Sequence, residues 1–243
     1  MQLKGNAVDR DSVPRIHRAI EPGRVVHIIA RFLNHEYLLN SPEERAEYLR
    51  RTAVAAAKTD WRFFSYALMS SHTHFGALAG QIPFEVFSRC LHSGYMTWYN
   101  RRHPHRLGPG LAGRPSTRHV CLSRCGKMIA YHHNNPVRAG VVPMALGSSW
   151  TSHLHYIEGN APQWLDVDLG MELAGFGVTK DARAAFDEFV QSSVGDTWNA
   201  TDEELLGLRC SARAALGGAV ELATPTVGDT VTAPLVVPQD SRL

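Results

Sequence analysis

Two strand-like segments stand almost back to back in this chain: WRFFSYALMS, residues 61–70, and HTHFGALA, residues 72–79. A parallel pairing needs a crossover of about a dozen residues or more, and here the break falls at Ser70 and Ser71. The two segments read as a tight antiparallel hairpin. Everything else in the chain has to be arranged around it.

Upstream, GRVVHIIARF (23–32) is apolar and β-branched and reads as a first strand. NSPEERAEYLRRTAVAAAKT then carries helix-start chemistry, with Ser41 as N-cap, Pro42 at the first helical position and acids in the first turn. Leu49, Ala53 and Ala56 or Ala57 give that helix one apolar face. Downstream, residues 83–103 place aromatic and aliphatic side chains at helical spacing and end in a basic cluster. Residues 104–120 form a Gly/Pro/Arg loop leading into a short edge strand, and 121–135 read as a helix stopped by Pro136. The order strand, helix, strand, strand, helix, strand, helix predicts an α+β fold with an antiparallel sheet. Past residue 160 the composition changes. DVDLGMELAGFG and TKDARAAFDEFVQSS predict two short helices, TDEELLGLRCSARAAL a third, and the Thr/Val/Pro/Gly-rich tail from Gly217 a disordered end. The expected organisation is a leader over 1–22, a main domain over 23–158, a small helical accessory extension over 159–216 and a tail over 217–243.

Charge is segregated along the chain. Residues 86–157 hold nine Lys/Arg and eight His but no Asp or Glu, whereas 158–243 hold five basic and fourteen acidic residues. An acid-free run of 72 positions points to a polyanionic partner. The alternative is that the basic block docks on the acidic C-terminal third. No apolar run approaches the ~18 residues of a membrane span, and the N-terminus lacks a secretory h-region. Four cysteines do not make a disulfide framework; Cys121 and Cys125 are ordinary reduced thiols or a partial metal site. A cytoplasmic protein with no membrane partner is the expectation.

His72 and His74 alternate on one strand, so their rings point to one face. Such a pair is either two polar positions on a wet strand face or, among apolar neighbours such as Phe64, Tyr66 and Phe75, two ligands of a shared divalent metal. Gly76 excludes the H-x-H-x-D-H pattern, and H-E-x-x-H is absent. In AYHHNNPVRAGVV (130–142), Tyr131 and Asn135 are four apart and share a helix face. A tyrosine can act as a nucleophile and an asparagine oxygen can complete a metal site. Equally, Tyr131 packs, Asn134 or Asn135 caps and Pro136 ends a helix.

Together these stretches resemble the HUH single-tyrosine transposases, and within them the REP-associated tyrosine transposases. YALMSSHTHFGALA resembles the hydrophobic-His-x-His strand, and MIAYHHNNPVRAGVV resembles the catalytic helix, Tyr-x-x-x-Asn/Gln followed by Pro-Val-x-Ala-Gly. VVHIIARF with Arg31, TWYNRRH and SSWTSHLHYI match further segments in order, over residues 22–158. The chain departs from the family pattern at Ser71, where Asn is usual, and at Gly76 and Ala77, where leucines are usual.

The resemblance implies an antiparallel sheet of ferredoxin/RRM-like type with helices on its faces. It implies Tyr131 as nucleophile and His72, His74 and Asn135 as ligands of Mg²⁺ or Mn²⁺. Arg31, Arg101, Arg102, Arg106, Arg114, Arg118, Arg124, Lys127 and Arg138 would contact DNA phosphates, and Trp98 and Tyr99 would stack on bases or pack. The implied reaction is cleavage and rejoining of single-stranded or hairpin DNA through a 5′-phosphotyrosine, by a monomer or a homodimer. A non-catalytic DNA- or RNA-binding module on an RRM-like sheet, or a histidine-rich metal hydrolase, are the competing functions.

Overall fold

The computed structural model describes residues 20–106, 108–196 and 198. The hairpin forms as the sequence requires: β2 (Arg62–Leu68) and β3 (His72–Leu78) pair antiparallel, and Met69 N donates to His72 O at 3.0 Å across the turn. β1 (Val25–Arg31) pairs with the other side of β3, and β4 (Ser116–His119) pairs with β1. Strand order is β2-β3-β1-β4 with every neighbour antiparallel. α1 (Pro42–Ala56) joins β1 to β2, and α2 (Phe84–Arg102) joins β3 to β4. This is the split βαβ topology of ferredoxin- and RRM-like folds.

α1 starts where its chemistry dictates. Ser41 Oγ accepts from Glu44 N at 3.2 Å while the Glu44 carboxylate accepts from Ser41 N at 2.7 Å, a reciprocal capping box with Pro42 at N1. α1 and α2 cover one sheet face. Tyr48 Oη meets Thr73 Oγ1 at 3.3 Å, and Phe87 stacks on Phe63 at 4.3 Å with its edge toward Phe75.

The opposite face is covered by α3 (Cys125–Arg138). Residues directly opposite in an antiparallel pair share a face, so the registers Arg31↔His72, Ile29↔His74 and His27↔Gly76 put both histidines of the H-x-H, together with His27 and Arg31, on one side. Gly76 explains how close α3 comes. A Cβ there would lie 2.4 Å from Ser65 Oγ, 2.7 Å from the Phe64 ring and 3.0 Å from the Met128 methyl. Only a glycine lets the helix and the irregular stretch of β2 at Phe63–Ser65 meet the strand.

α3 does not stop at Pro136, contrary to the sequence expectation; it continues to Arg138. The stop is a Schellman motif: Val141 N donates to Pro136 O and Gly140 N to Val137 O, each at 2.9 Å, with Gly140 at φ +69°. Proline is tolerated because the true terminator lies one turn further on.

α4 (His153–Glu158), α5 (Val167–Leu173) and α6 (Lys180–Ser192) pack over α3 and β2. Tyr156 Oη donates to Phe64 O at 2.6 Å, and Arg62 pairs with Asp166 at 2.6 Å. Leu169, Met171, Phe186 and Val190 are buried in the same core cluster as the sheet residues. The third helix expected over 201–216 and the tail over 217–243 lie outside the described residues, as does most of the leader. Among the described residues no helix is long and apolar enough to cross a membrane.

Candidate metal centre

Three imidazoles converge on the α3 face of the sheet, one each from β1, β3 and α3: His27, His74 and His132. All are buried, and one ring nitrogen of each lies within 4.8 Å of those of the other two. His27 Nε2 and His74 Nδ1 are 2.9 Å apart, and His132 Nδ1 meets Ser65 Oγ at 2.9 Å. Two nitrogens remain over: His74 Nε2 and His132 Nε2 are buried without a hydrogen-bond partner among the described residues. An unmet buried polar atom costs about 1–3 kcal/mol, and two on neighbouring rings fit a divalent cation that each ring can ligate with its proton on the other nitrogen. The rings are in the right state for it. Burial holds the pKa values of all three well below the usual histidine range. For His27 the neighbours His132, Arg118 and Arg31 add to the effect, for His74 those neighbours are His27, His72 and Arg31, and for His132 the neighbour is His74. They are neutral at pH 7.

His72 shares the face but stands at its rim. It is half-buried, its Nδ1 meets Ser71 Oγ at 3.1 Å, and its ring sits edge-on to His74 at 5.0 Å. Tyr131 packs edge-on to His74 at 5.6 Å and to His27 at 6.3 Å. Asn135, one turn on and buried, donates its amide N–H to Tyr131 O at 2.9 Å, which leaves its oxygen as an acceptor. The structure thus gathers His74, Tyr131 and, beside them, His72. Sequence reading missed His27 and His132. The only signal was a lone histidine in an apolar strand and a second one beside Tyr131; cross-strand register, not spacing, makes them neighbours.

The basic residues divide. Arg31 and Arg118 lie opposite His72 and His27 on the site face, and both are exposed. Lys127, exposed, precedes Tyr131 by one turn, and the Arg138 guanidinium lies 5.6 Å from the Tyr131 ring. Arg101 and Arg114 are exposed at the end of α2 and in the loop before β4. Arg102 pairs with Glu43 and lies over Trp98. Arg106 binds Glu36 at 2.7 Å, Asn100 and the carbonyls of Gly108 and Pro109, which makes it the tie that holds this loop. Tyr99 is buried and stacks on His103, so it packs.

The chain after α6 returns to the site. Arg138 donates to the carbonyls of Val194 and Asp196, the Arg124 guanidinium lies 4.6 Å over the Trp198 ring, and Trp198 Nε1 donates to His27 Nδ1 at 3.1 Å. Behind the site runs a second polar chain in which every contact is made. Asp187 accepts from His153 Nε2 at 2.9 Å, His153 Nδ1 meets His133 Nδ1 at 3.0 Å, and His133 Nε2 accepts from Ser152 Oγ at 2.9 Å. It ties α6 and α4 to α3.

No family model matches the chain, and no curated protein matches it. A solved structure of a REP-associated tyrosine transposase bound to a REP hairpin is similar at 14% identity and a TM-score of 0.48, covering 64% of this chain and 93% of that one.

Proposed function

We propose that this chain is a metal-dependent transposase or endonuclease that cleaves and rejoins single-stranded DNA through a 5′-phosphotyrosine. The observation that carries the reading is Tyr131 packed 5.6 Å from His74, beside buried neutral histidines and below the exposed Arg31 and Arg118. The motif resemblance assigns the roles: Tyr131 is the nucleophile, and His74 with His72 and Asn135 are the metal ligands.

The Tyr131 oxygen attacks a backbone phosphorus. The Oη–P bond forms, the P–O3′ bond breaks, and the phenolic proton is balanced by one taken up at the departing 3′ oxygen. The 5′-phosphate stays on Tyr131. One ester replaces another, so no nucleotide cofactor is needed, and attack by a 3′-hydroxyl reverses the step. A bound divalent cation would supply positive charge to the phosphate oxygens. Arg31, Arg118 and Lys127 hold neighbouring phosphates, and Arg138 lies over the Tyr131 ring. Tyr131 and His74 meet within one chain, so one copy suffices for the site.

The test is a denaturing gel of the full chain with labelled single-stranded hairpin DNA and Mn²⁺ or Mg²⁺. A covalent adduct is expected, absent with chelator and absent in Tyr131→Phe. An adduct in Tyr131→Phe places the nucleophile elsewhere. Chelator-indifferent binding with no adduct makes the chain a nucleic-acid-binding module.

A further inference from the structure

We propose that His27, His74 and His132 together form a three-nitrogen site for a zinc-class ion, rather than a site for Mg²⁺ or Mn²⁺ at His72, His74 and Asn135. This rests on the reading above that the site holds a metal ion, and it replaces the ligands His72 and Asn135 of the motif resemblance by His27 and His132. The donor set decides between the ions. Mg²⁺ is a hard cation held by carboxylate, phosphate and water oxygens. Around the three rings the charged side chains are Arg31 and Arg118, and no acid occurs anywhere in residues 86–157, which supply His132. A hard cation would sit among neutral nitrogens near two positive charges, and no carboxylate joins the three rings in this cluster among the described residues. Imidazole nitrogens suit Zn²⁺, Cu²⁺ and Ni²⁺, and three histidines with one open position is a recurring catalytic zinc layout.

Among the described residues three buried imidazole nitrogens have no hydrogen-bond partner; two of them, His74 Nε2 and His132 Nε2, belong to this triad, the third is His119 Nδ1 on β4, and none belongs to His72, whose Nδ1 meets Ser71. Tyr131 lies beside the triad, close to His74 and His27, so the open position is the one that a phenol or a phosphate oxygen would take.

Loading has a proton consequence. The indole N–H of Trp198 only donates, so His27 Nδ1 accepts, and the proton of the neutral ring is on Nε2, donated to His74 Nδ1. The proton of His74 is then on its Nε2, so ligation through His27 Nε2 and His74 Nε2 moves both ring protons to the Nδ1 atoms, and on His27 that proton faces the Trp198 N–H. Metal therefore displaces Trp198 from His27.

The experiment is equilibrium dialysis of the full chain against Zn²⁺, Mn²⁺ and Mg²⁺ in turn. X-ray absorption of the zinc-loaded wild type counts imidazole ligands without any mutation, and the Trp198 indole N–H is followed by NMR. The expected result is one Zn²⁺ per chain, three imidazoles and a shifted Trp198 resonance. His132→Gln should weaken zinc binding by more than the ~10- to 100-fold that loss of an outer-shell partner costs, while His72→Gln leaves it unchanged. Preference for Mn²⁺ or Mg²⁺, or two imidazoles with binding lost in His72→Gln, overturns the triad and leaves the metal reading standing. No retained ion of any kind, with adduct formation indifferent to chelator, removes both.

Discussion

Gly76 carries more of the site than its lack of a side chain suggests. Gly76→Ala puts a methyl 2.4 Å from Ser65 Oγ, and Ser65 is the residue that holds His132. Overpacking of this kind costs about 1–3 kcal/mol. The variant should melt lower, and the Tyr131–His74 packing should loosen with it; an unchanged melting curve and unchanged adduct yield would show that α3 has slack. At Trp198 the expectation runs the other way. Trp198→Phe keeps an aromatic ring, though a smaller one, and removes the donor, so His27 Nδ1 is released and metal affinity should rise by calorimetry; a weaker affinity would make the indole a support instead. At this scale the shared face of His72 and His74 and the one-turn step from Tyr131 to Asn135 were legible, because alternation and a four-residue step fix faces. His27, His132 and Trp198 were not, because their proximity depends on strand register and on a segment 171 residues distant from His27.

The helix that carries Tyr131 is held at both ends by chemistry of different visibility. Its end is set by Gly140 at φ +69° and not by Pro136. The expectation of a proline stop failed because Pro136 removes a single backbone donor without closing the helix, and the contacts of Val141 N and Gly140 N close it one turn later. Gly140→Ala should cost about 1 kcal/mol in a chemical melt, the penalty of a left-handed alanine. The Asp187–His153–His133–Ser152 chain is the other hold. Asp187→Ala strands a buried His153 N–H, a loss of about 1–3 kcal/mol, and hydrogen exchange should rise first in α6. Uniform exchange across the molecule would mean that α6 is docked by Phe186 and Val190 alone. No motif announced this chain of contacts. The N-cap of α1, by contrast, was plain in SPEE, because it is local.

For the whole molecule, the hairpin and the order of elements sufficed to expect an antiparallel α+β sheet, and the strand order β2-β3-β1-β4 completes it. Charge segregation was visible too, but not its partition. Arg102 and Arg106 are taken up by Glu43 and Glu36, acids far away in sequence, while Arg31 and Arg118 stay exposed at the site. Acid sensitivity is a property of the entire fold. Burial keeps His27, His74, His132 and His133 below the usual range and His92 down at about 4. Below pH ~6.5 the unfolded chain takes up protons that the folded chain refuses, so stability falls as pH falls, for His92 until its folded value near 4 is passed. Melting temperature should be level above neutral pH and decline from about 6.5 downward; a flat profile to pH 5 would contradict the buried neutral histidines.

The most direct test of the central claim is peptide mapping of the DNA adduct. Trypsin cuts after Lys127 and Arg138, which isolates residues 128–138 and their one tyrosine. A nucleotide-bearing phosphate on Tyr131 in that peptide is the predicted result. A nucleotide on any other residue, or no adduct from wild type with hairpin single strands and metal, would contradict it.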